Sequence, residues 1–208
     1  MKANGAVVHA FDGIAGRVDA LGLRTIGFTS AVLGEGVSTV ALGTALALAS
    51  LRQESVLLID GNWLQPSLTA DAHLESAAGL AECLTRSATV DAVAQRRSGS
   101  PLHFLPIGDV ATARPTLRTL SSFLAKGIPA STTVVVDLPP ALVGESLVLP
   151  WAALLDQIFV VLREAATPFP LVRQTLATVG LAAPAQVVIN RAIGASAALP
   201  AGMLAART

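Results

Sequence analysis

Short runs of apolar, β-branched residues alternate along this chain with longer segments rich in alanine and leucine. The short runs predict strands near residues 24–29, 55–60, 102–107, 132–137, 157–162 and 185–190. The longer segments predict helices near residues 37–51, 77–85, 89–96, 115–126, 145–153 and 168–180. Parallel strands that are buried on both faces read as continuous apolar runs. The alternation therefore predicts an α/β fold, in which helices flank a doubly wound, mainly parallel sheet.

A glycine-rich segment joins the first predicted strand to the first predicted helix. Residues 29–39 read Thr-Ser-Ala-Val-Leu-Gly-Glu-Gly-Val-Ser-Thr. In a phosphate-binding loop at this place, backbone N–H groups surround an anion, and a lysine comes just before the final Ser or Thr. Val37 stands at the lysine position. The residues predicted to contact a nucleotide here are Gly34, Glu35, Gly36, Val37, Ser38 and Thr39. The alternative is a tight strand-to-helix turn that needs glycine for a positive φ.

Two further apolar runs end in an aspartate. Residues 55–60 end at Asp60, and residues 132–137 end at Asp137, which Leu-Pro-Pro follows. Ligands bind at the carboxyl edge of the strands in an open α/β sheet. A single aspartate at a strand end is usually a turn or cap residue. Two of them behind a glycine-rich loop predict a shared site for Mg²⁺ and phosphate.

The motifs TSAVLGEGVST, VLLIDGNWLQPSL, VVVDLPP and VVINRA, in this order, resemble those of the bacterial tyrosine-kinase ATPases of polysaccharide export. These proteins belong to the MinD/ParA class of P-loop proteins, and the similarity covers residues 24–192. The resemblance implies that Ser38 ligates Mg²⁺, that Asp60 acts on the metal or the attacking hydroxyl, and that Asp137 supports Mg²⁺ through water. It also implies that Asn190 lies near the nucleotide base. Residues 1–23 are then an N-terminal extension and residues 193–208 a C-terminal tail.

Several charged residues of the family's motifs are absent from this chain. Val37 replaces the phosphate-binding lysine, Asn62 replaces the second aspartate of its motif, and Leu64 replaces an arginine. The lysines of the chain are Lys2 and Lys126, both distant from the loop in sequence. The chain has no tyrosine, so the family's C-terminal tyrosine cluster is absent. The family's N-terminal helix, used for ring assembly, is expected to be shortened because glycines at positions 13 and 16 interrupt it.

The missing lysine predicts weak chemistry. A charge-assisted hydrogen bond to phosphate is worth roughly 1.5–3 kcal/mol, so its loss weakens binding by about ten- to a hundredfold. Phosphoryl transfer suffers more, because it depends on positioned charge around the γ-phosphate. We expect ATP or ADP with Mg²⁺ to bind weakly or not at all, with Asp60 and Asp137 as residual catalytic residues. The predicted function is a scaffold or regulator of exopolysaccharide or capsule synthesis or export, without enzymatic activity.

Two other functions stay open at this stage. The first is an active autokinase or ATPase that uses an unusual cation, for which Arg163 at the end of a predicted strand is the candidate. The second is a MinD/ParA-like positioning protein that dimerises with nucleotide. Trp63 is also open to two interpretations, because its ring either packs over the loop or anchors a partner.

Composition narrows the partners and the location. Hydrophobic residues make up 52% of the 208 residues and charged residues 13%, with a net charge of zero. Nucleic acid is therefore not expected as a partner, whereas self-association is. No apolar run predicts a transmembrane segment or a secretory signal, and Cys83 is predicted to be a core residue in a reducing compartment. The resemblance implies a cytoplasmic protein, peripheral at the inner membrane through a polysaccharide co-polymerase or synthesis complex.

Overall fold

The computed structural model describes residues 3–52, 54–96, 99–180, 182 and 185–190. Its centre is a seven-stranded sheet in the order β3-β4-β2-β5-β1-β6-β7, parallel except for the edge strand β3. The sheet confirms the predicted fold class. The strands are β1 (Thr25–Ser30), β2 (Val56–Asp60), β3 (Gln95–Arg96), β4 (Leu102–Leu105), β5 (Thr133–Asp137), β6 (Gln157–Arg163) and β7 (Ala185–Asn190).

Helices cover both faces of the sheet. They are α1 (Ala3–Ala20), α2 (Val37–Arg52), α3 (Ser67–Asp71), α4 (Leu80–Thr85), α5 (Val90–Val93), α6 (Leu117–Lys126), α7 (Glu145–Ala152) and α8 (Phe169–Gly180). One local prediction was wrong: the segment near 89–96 is helical only as far as Val93, because Ala94 is extended and β3 pairs with β4. The segment after β2, for which no helix was predicted, contains α3, and a tertiary contact described below explains this helix.

Alternation along the buried strands separates two hydrophobic cores. On β2, Leu57 and Ile59 join the core beneath α4, α6, α7 and α8, whereas Val56 and Leu58 join the core beneath α1 and α2. Side chains two residues apart in a strand share a face. Asp60 therefore lies on the α2 face, and Asp137 follows Val135 onto the same face. The sheet thus presents both strand-end carboxylates to the side on which the glycine-rich loop continues into a helix.

The N-terminal helix is continuous, contrary to the sequence-based expectation. It runs over Ala3–Ala20, through both of the glycines that were expected to break it. The ring of Phe11 lies over Gly43 of α2, where an added Cβ would stand 2.2 Å from a ring carbon. Ala15 and Val18 are also buried in the core that α2 shares. Tertiary packing outweighs the local cost of glycine in a helix, which is about 1 kcal/mol per residue.

The remaining predictions concern Cys83, membrane-spanning helices and the C-terminal tail. Cys83 is buried in the core as predicted, and burial raises the pKa of its thiol to about 11. Within the residues that the structure describes, no helix has the length and hydropathy to cross a membrane. The predicted tail, residues 193–208, lies outside the described residues.

Candidate functional site

The glycine-rich loop lies at the carboxyl end of β1, the strand that pairs with β5 on one side and β6 on the other. Gly34 and Gly36 have φ angles of +82° and +86°, in the left-handed region that favours glycine. An added Cβ on Gly36 would also stand 2.3 Å from the side-chain nitrogen of Asn190. The helix α2 begins at Val37, immediately after the loop. The loop therefore has the strand–turn–helix geometry that directs backbone N–H groups of a helix N-terminus toward an anion.

Hydrogen bonds of Glu35 link the glycine-rich loop to neighbouring segments. Its side chain is buried, with 4% of the residue exposed. One carboxylate oxygen accepts a hydrogen bond from the N–H of Ala31 at 3.1 Å, and the other accepts one from the hydroxyl of Thr167. Asn190, at the end of β7, donates to the carbonyl oxygen of Glu35 at 2.9 Å. The Asn190 amide thus contacts the loop backbone, and its implied place near a nucleotide base stays a prediction.

Asp137 is a buried carboxylate without a partner. It is fully buried, and neither of its oxygens has a hydrogen-bond partner among the described residues. Burial raises its pKa to about 8; the nearby Ser38 hydroxyl partly offsets the rise and the charge of Asp60 adds to it. Asp60 and Asp137 stand side by side in the register of β2 and β5. The predicted pairing of the two aspartates at one sheet edge is present in the fold.

Asp60 differs from Asp137 because its hydrogen bonds are satisfied. One oxygen accepts from the N–H and the hydroxyl of Thr69, both at 2.8 Å, and the other accepts from the N–H of Asn62 at 3.2 Å. Burial nevertheless raises the pKa of Asp60, and these hydrogen bonds counter the rise. Thr69 lies in α3 and also accepts from the N–H of Ile107 at 3.0 Å. Asp60 thus fixes α3 against the sheet, which explains a helix that the local sequence pattern does not show.

We expect Thr69→Val to lower the free energy of unfolding by about 1–3 kcal/mol, because it removes one hydrogen bond from each of two buried polar groups, the Asp60 carboxylate and the Ile107 N–H. The hydroxyl of Thr69 is their shared partner, and the residue is 1% exposed. Urea unfolding followed by circular dichroism measures the change. Thr69→Ser keeps the hydroxyl and should retain most of the stability. Equal losses in both variants would contradict this role for the hydroxyl.

Asn62 and Trp63 shape the segment after β2. The side-chain oxygen of Asn62 accepts from the backbone N–H groups of Leu64 and Gln65, at 3.3 and 3.0 Å. The indole N–H of Trp63 donates to the carbonyl oxygen of Ala113 at 3.2 Å, and its ring packs against the core. Trp63 is thus partly buried against the protein, which favours the packing interpretation.

A cavity of about 280 Å³ opens beside the loop. The hydroxyl of Ser38 faces that of Ser67 in α3 at 2.7 Å, so a side chain of the loop contacts the segment after β2. The charged residues of the lining are acidic, Glu35 and Asp71, and within the described part of the chain no lysine or arginine contributes to it. The lining residues are Ser30, Val32, Leu33, Gly34, Glu35, Gly36, Val37, Ser38, Thr39, Asn62, Gln65, Ser67, Asp71, Leu138 and Pro140.

The candidate replacement cations do not reach this cavity. Arg163 is exposed at the end of β6 and is not among the lining residues; its backbone N–H donates to the Thr167 hydroxyl at 3.3 Å. Lys126 ends α6 and lines a different cavity, and Lys2 lies outside the described residues. The described residues therefore offer phosphate oxygens backbone amides and hydroxyls, and no cationic side chain.

The residues fit Mg²⁺ only in part. The two free oxygens of Asp137 and the hydroxyl of Ser38 are oxygen donors of the kind that Mg²⁺ prefers. No cluster of three or more His, Cys, Asp or Glu side chains suited to a metal ion occurs in the described ranges. Mg²⁺ usually completes its shell with water and substrate phosphates. The donor set therefore fits Mg²⁺ that arrives with a nucleotide, and does not form a metal site by itself.

Sequence reasoning missed three hydroxyl residues of this site, Ser67, Thr69 and Thr167. Thr69 and Thr167 belong to no quoted motif, and Ser67 lies in the VLLIDGNWLQPSL motif without a predicted role; their partners are 9, 132 and 29 positions away in sequence. Thr167 follows β6, and Ser67 and Thr69 occupy the segment that carries no periodic pattern. A weak signal for Ser67 and Thr69 is their place seven and nine residues after the strand-end aspartate, near the predicted site.

Comparison with known proteins identifies the fold. No protein-family model and no curated protein matches the sequence. The VpsO kinase domain matches with a TM-score of 0.75 and 23% identity over 90% of this chain and 95% of that one. The kinase domain of the Escherichia coli tyrosine kinase ETK matches with a TM-score of 0.62 and 20% identity over 83% and 71%. MinD in the Aquifex aeolicus MinC:MinD complex matches with a TM-score of 0.61 and 21% identity over 81% and 69%. The chain therefore has the P-loop fold that bacterial tyrosine-kinase domains share with MinD.

Proposed function

We propose that this chain is a catalytically impaired P-loop protein that acts as a scaffold or regulator in exopolysaccharide or capsule synthesis or export. One observation carries the proposal: the cavity at the phosphate loop has acidic residues in its lining and, within the described chain, no cationic side chain. Backbone amides offer only partial positive charges to bound phosphates. Phosphoryl transfer needs full positive charges around the γ-phosphate, which the described lining residues do not supply.

The charges behind the loop add to this argument. A nucleoside triphosphate brings several negative charges toward Asp137 and Asp60, which are both fully buried. Burial and the neighbouring carboxylate raise the pKa of Asp137 to about 8, so the fold favours the neutral acid near pH 7. A neutral Asp137 repels phosphate less than a carboxylate would, but it is also a poorer support for Mg²⁺. The site is thus stable without ligand and weak as a catalyst.

The loop is also held in place without a nucleotide. Thr167 and Asn190 bind Glu35, and Ser38 contacts Ser67. Such internal contacts preserve the shape of a phosphate loop after its chemistry is lost, which suits a surface that a partner recognises.

If Mg²⁺ and nucleotide bind, this chain's own residues define how. The loop N–H groups would hold the phosphates, the Ser38 hydroxyl would ligate the metal, and Asp137 would orient its water. Bound Mg²⁺ would supply part of the positive charge that the lysine position lacks. Ser38 would then act as the donor in its hydrogen bond to Ser67, because the metal takes a lone pair of its oxygen.

The partner and location follow from the family resemblance and remain part of the proposal. An inner-membrane polysaccharide co-polymerase or synthesis complex would hold the chain at the cytoplasmic face of the membrane. Three large apolar residues near the loop and the segments after β2 and β5 are exposed and suit such a contact or self-association: Leu33 at 58%, Leu64 at 47% and Val143 at 60%. The second candidate, a MinD-like positioning protein, would use the same residues in nucleotide-dependent dimers.

We expect no ATP turnover by the purified chain above that of buffer, and weak or no binding of ATP and ADP with Mg²⁺. Phosphate release and calorimetry measure the two quantities. Asp137→Ala is the control, since it removes the residual catalytic carboxylate without adding charge. Turnover in the wild type that this variant abolishes would overturn the proposal, and dimers that form only with ATP would favour the positioning protein.

A further inference from the structure

We propose a second anion site, which takes a phosphate group, in a surface groove remote from the glycine-rich loop. The groove has a volume of about 720 Å³ and lies between the end of α4, the start of α5 and one face of α6. None of its lining residues belongs to the loop cavity. Its volume is in the range of small-molecule sites, which is roughly 300–1,000 Å³.

Cationic and hydroxyl side chains share one face of α6. Arg118, Ser122 and Lys126 are spaced four residues apart, so they lie on one side of the helix at intervals of about 6 Å. All three line the groove. Arg86 approaches from the end of α4, and its guanidinium donates to the Ser122 hydroxyl at 2.9 Å. Three positive charges thus line the groove: Arg86 contacts Ser122, and Arg118 and Lys126 lie one helical turn to either side of it.

These cations have no acidic partners. Within the described ranges, the side chains of Arg86, Arg118 and Lys126 form no ion pair within 4 Å. The acidic residue of the lining is Asp91, which pairs with Arg96 instead. Glu82, next to the groove in sequence, is also engaged, because its carboxylate accepts from the N–H groups of Gly79 and Asp109. The groove therefore carries positive charge that the folded chain leaves uncompensated.

The remaining lining suits phosphate. Ser and Thr hydroxyls surround the cations, and arginine forks bind phosphate oxygens in pairs. Arg86 is the C-cap of α4, and its backbone is left-handed with a φ of +64°. The end of α4 therefore fixes the position of the Arg86 backbone beside the groove. The hydroxyl residues of the groove are Thr85, Thr89, Thr119 and Ser122. Thr85 and Thr119 already donate to the carbonyl oxygens of Glu82 and Thr116, so the hydroxyls of Thr89 and Ser122 can donate to a phosphate group beside the guanidinium groups.

The position of the groove separates it from nucleotide chemistry at the loop. The N-terminal end of α4 packs next to the carboxyl end of β4, since Leu80 and Ala81 donate to the carbonyl oxygens of Pro106 and Ile107. The groove lies at the opposite end of α4 and extends along α6. It shares no lining residue with the loop cavity, so a ligand held by the groove residues would not occupy that cavity.

Calorimetry with pyrophosphate in Mg²⁺-free, low-salt buffer tests the proposal on the full chain. We expect the double variant Arg118→Gln/Lys126→Gln to bind at least about tenfold more weakly than wild type, since it loses two charge-assisted contacts. The matched control is Arg17→Gln/Arg173→Gln, which removes the same charge from exposed positions on α1 and α8. Ser38→Ala reports on binding at the loop. Thermal unfolding checks that each variant folds.

The outcomes separate the sources of phosphate. Loss of pyrophosphate binding in the groove variant alone supports a site for a free phosphate-bearing molecule. Sedimentation with vesicles of phosphatidylglycerol and phosphatidylcholine, but not of phosphatidylcholine alone, would assign the same chemistry to a lipid headgroup if the groove variant abolishes it. Equal binding by the groove and control variants, loss only in Ser38→Ala, or no binding of either probe would overturn the proposal.

Discussion

Val37→Lys is expected to bind Mg²⁺-ATP about ten- to a hundredfold more tightly than the wild-type chain, because it restores a charge-assisted contact to phosphate. Val37 is the first residue of α2 and follows Gly36, whose backbone already has the conformation of a phosphate loop. Calorimetry with ATP and Mg²⁺ measures the gain. A gain would show that the cradle is intact and that one side chain limits its affinity.

The substitution is compatible with the packing. Val37 is 9% exposed and lies at the edge of the core beneath α2. The aliphatic stem of a lysine can cover the same surface while its ammonium group extends into the loop cavity. The acidic lining of the cavity should favour the charged amine, since it includes Glu35 and Asp71.

Two variants make the Val37 test specific. Val37→Gln has a polar side chain without charge and should gain much less than Val37→Lys. Leu42→Lys adds the same charge to an exposed position on α2, where the residue is 38% exposed, and should leave affinity unchanged. A similar gain in Leu42→Lys would show that general charge, and not the loop position, controls binding. No gain in Val37→Lys would mean that the fold is kept for docking alone.

Asp137→Asn is expected to raise the free energy of unfolding by about 3–5 kcal/mol at pH 8 in the absence of Mg²⁺. Burial raises the pKa of Asp137 from its ordinary value of 3.8 to about 8, so the folded chain holds a proton that the unfolded chain releases. Above about pH 4 this carboxyl ionises in the unfolded chain but stays protonated in the folded chain, which stabilises the unfolded state. The amide has a similar shape and cannot ionise, so it avoids this loss.

The sign of the pH dependence follows from the proton count. Between about pH 4 and pH 8 the folded state binds more protons than the unfolded state, so stability falls as pH rises. The slope from one such group is at most about 1.4 kcal/mol per pH unit. Burial raises the pKa of Asp60 as well, which acts in the same direction. Below pH 4 the wild-type chain and Asp137→Asn should have nearly equal stability.

Urea unfolding at a series of pH values measures this prediction. Asp71→Asn is the matched control, because it removes a carboxylate from an exposed position in the same cavity. That control should leave the pH profile of the wild-type chain unchanged. A wild-type stability that rises from pH 5 to pH 8, or a variant with the same slope as the wild type, would contradict the buried, unpartnered state of Asp137.

Much of this fold was predictable from the sequence, because its main features are local or periodic. All strands except β3 are runs of mainly apolar residues. The loop contains glycines where its backbone has a positive φ. The strand-end positions of Asp60 and Asp137 also follow from the chain, since parallel strands share one carboxyl edge. The sequence also shows that Val37 occupies the lysine position of the loop. Only the tertiary fold could bring a lysine or arginine from elsewhere in the chain to this site.

The tertiary structure decided what each side chain does. It brought no described cation to the loop, left both oxygens of Asp137 without partners, and gave those of Asp60 to Thr69 and Asn62. It also kept α1 helical through its contact with α2 and gathered the cations of the groove around Ser122. These contacts join residues far apart in sequence, and their strength depends on burial and on neighbouring charge. Local pattern contains neither quantity, which is the physical reason that only the folded chain could reveal them.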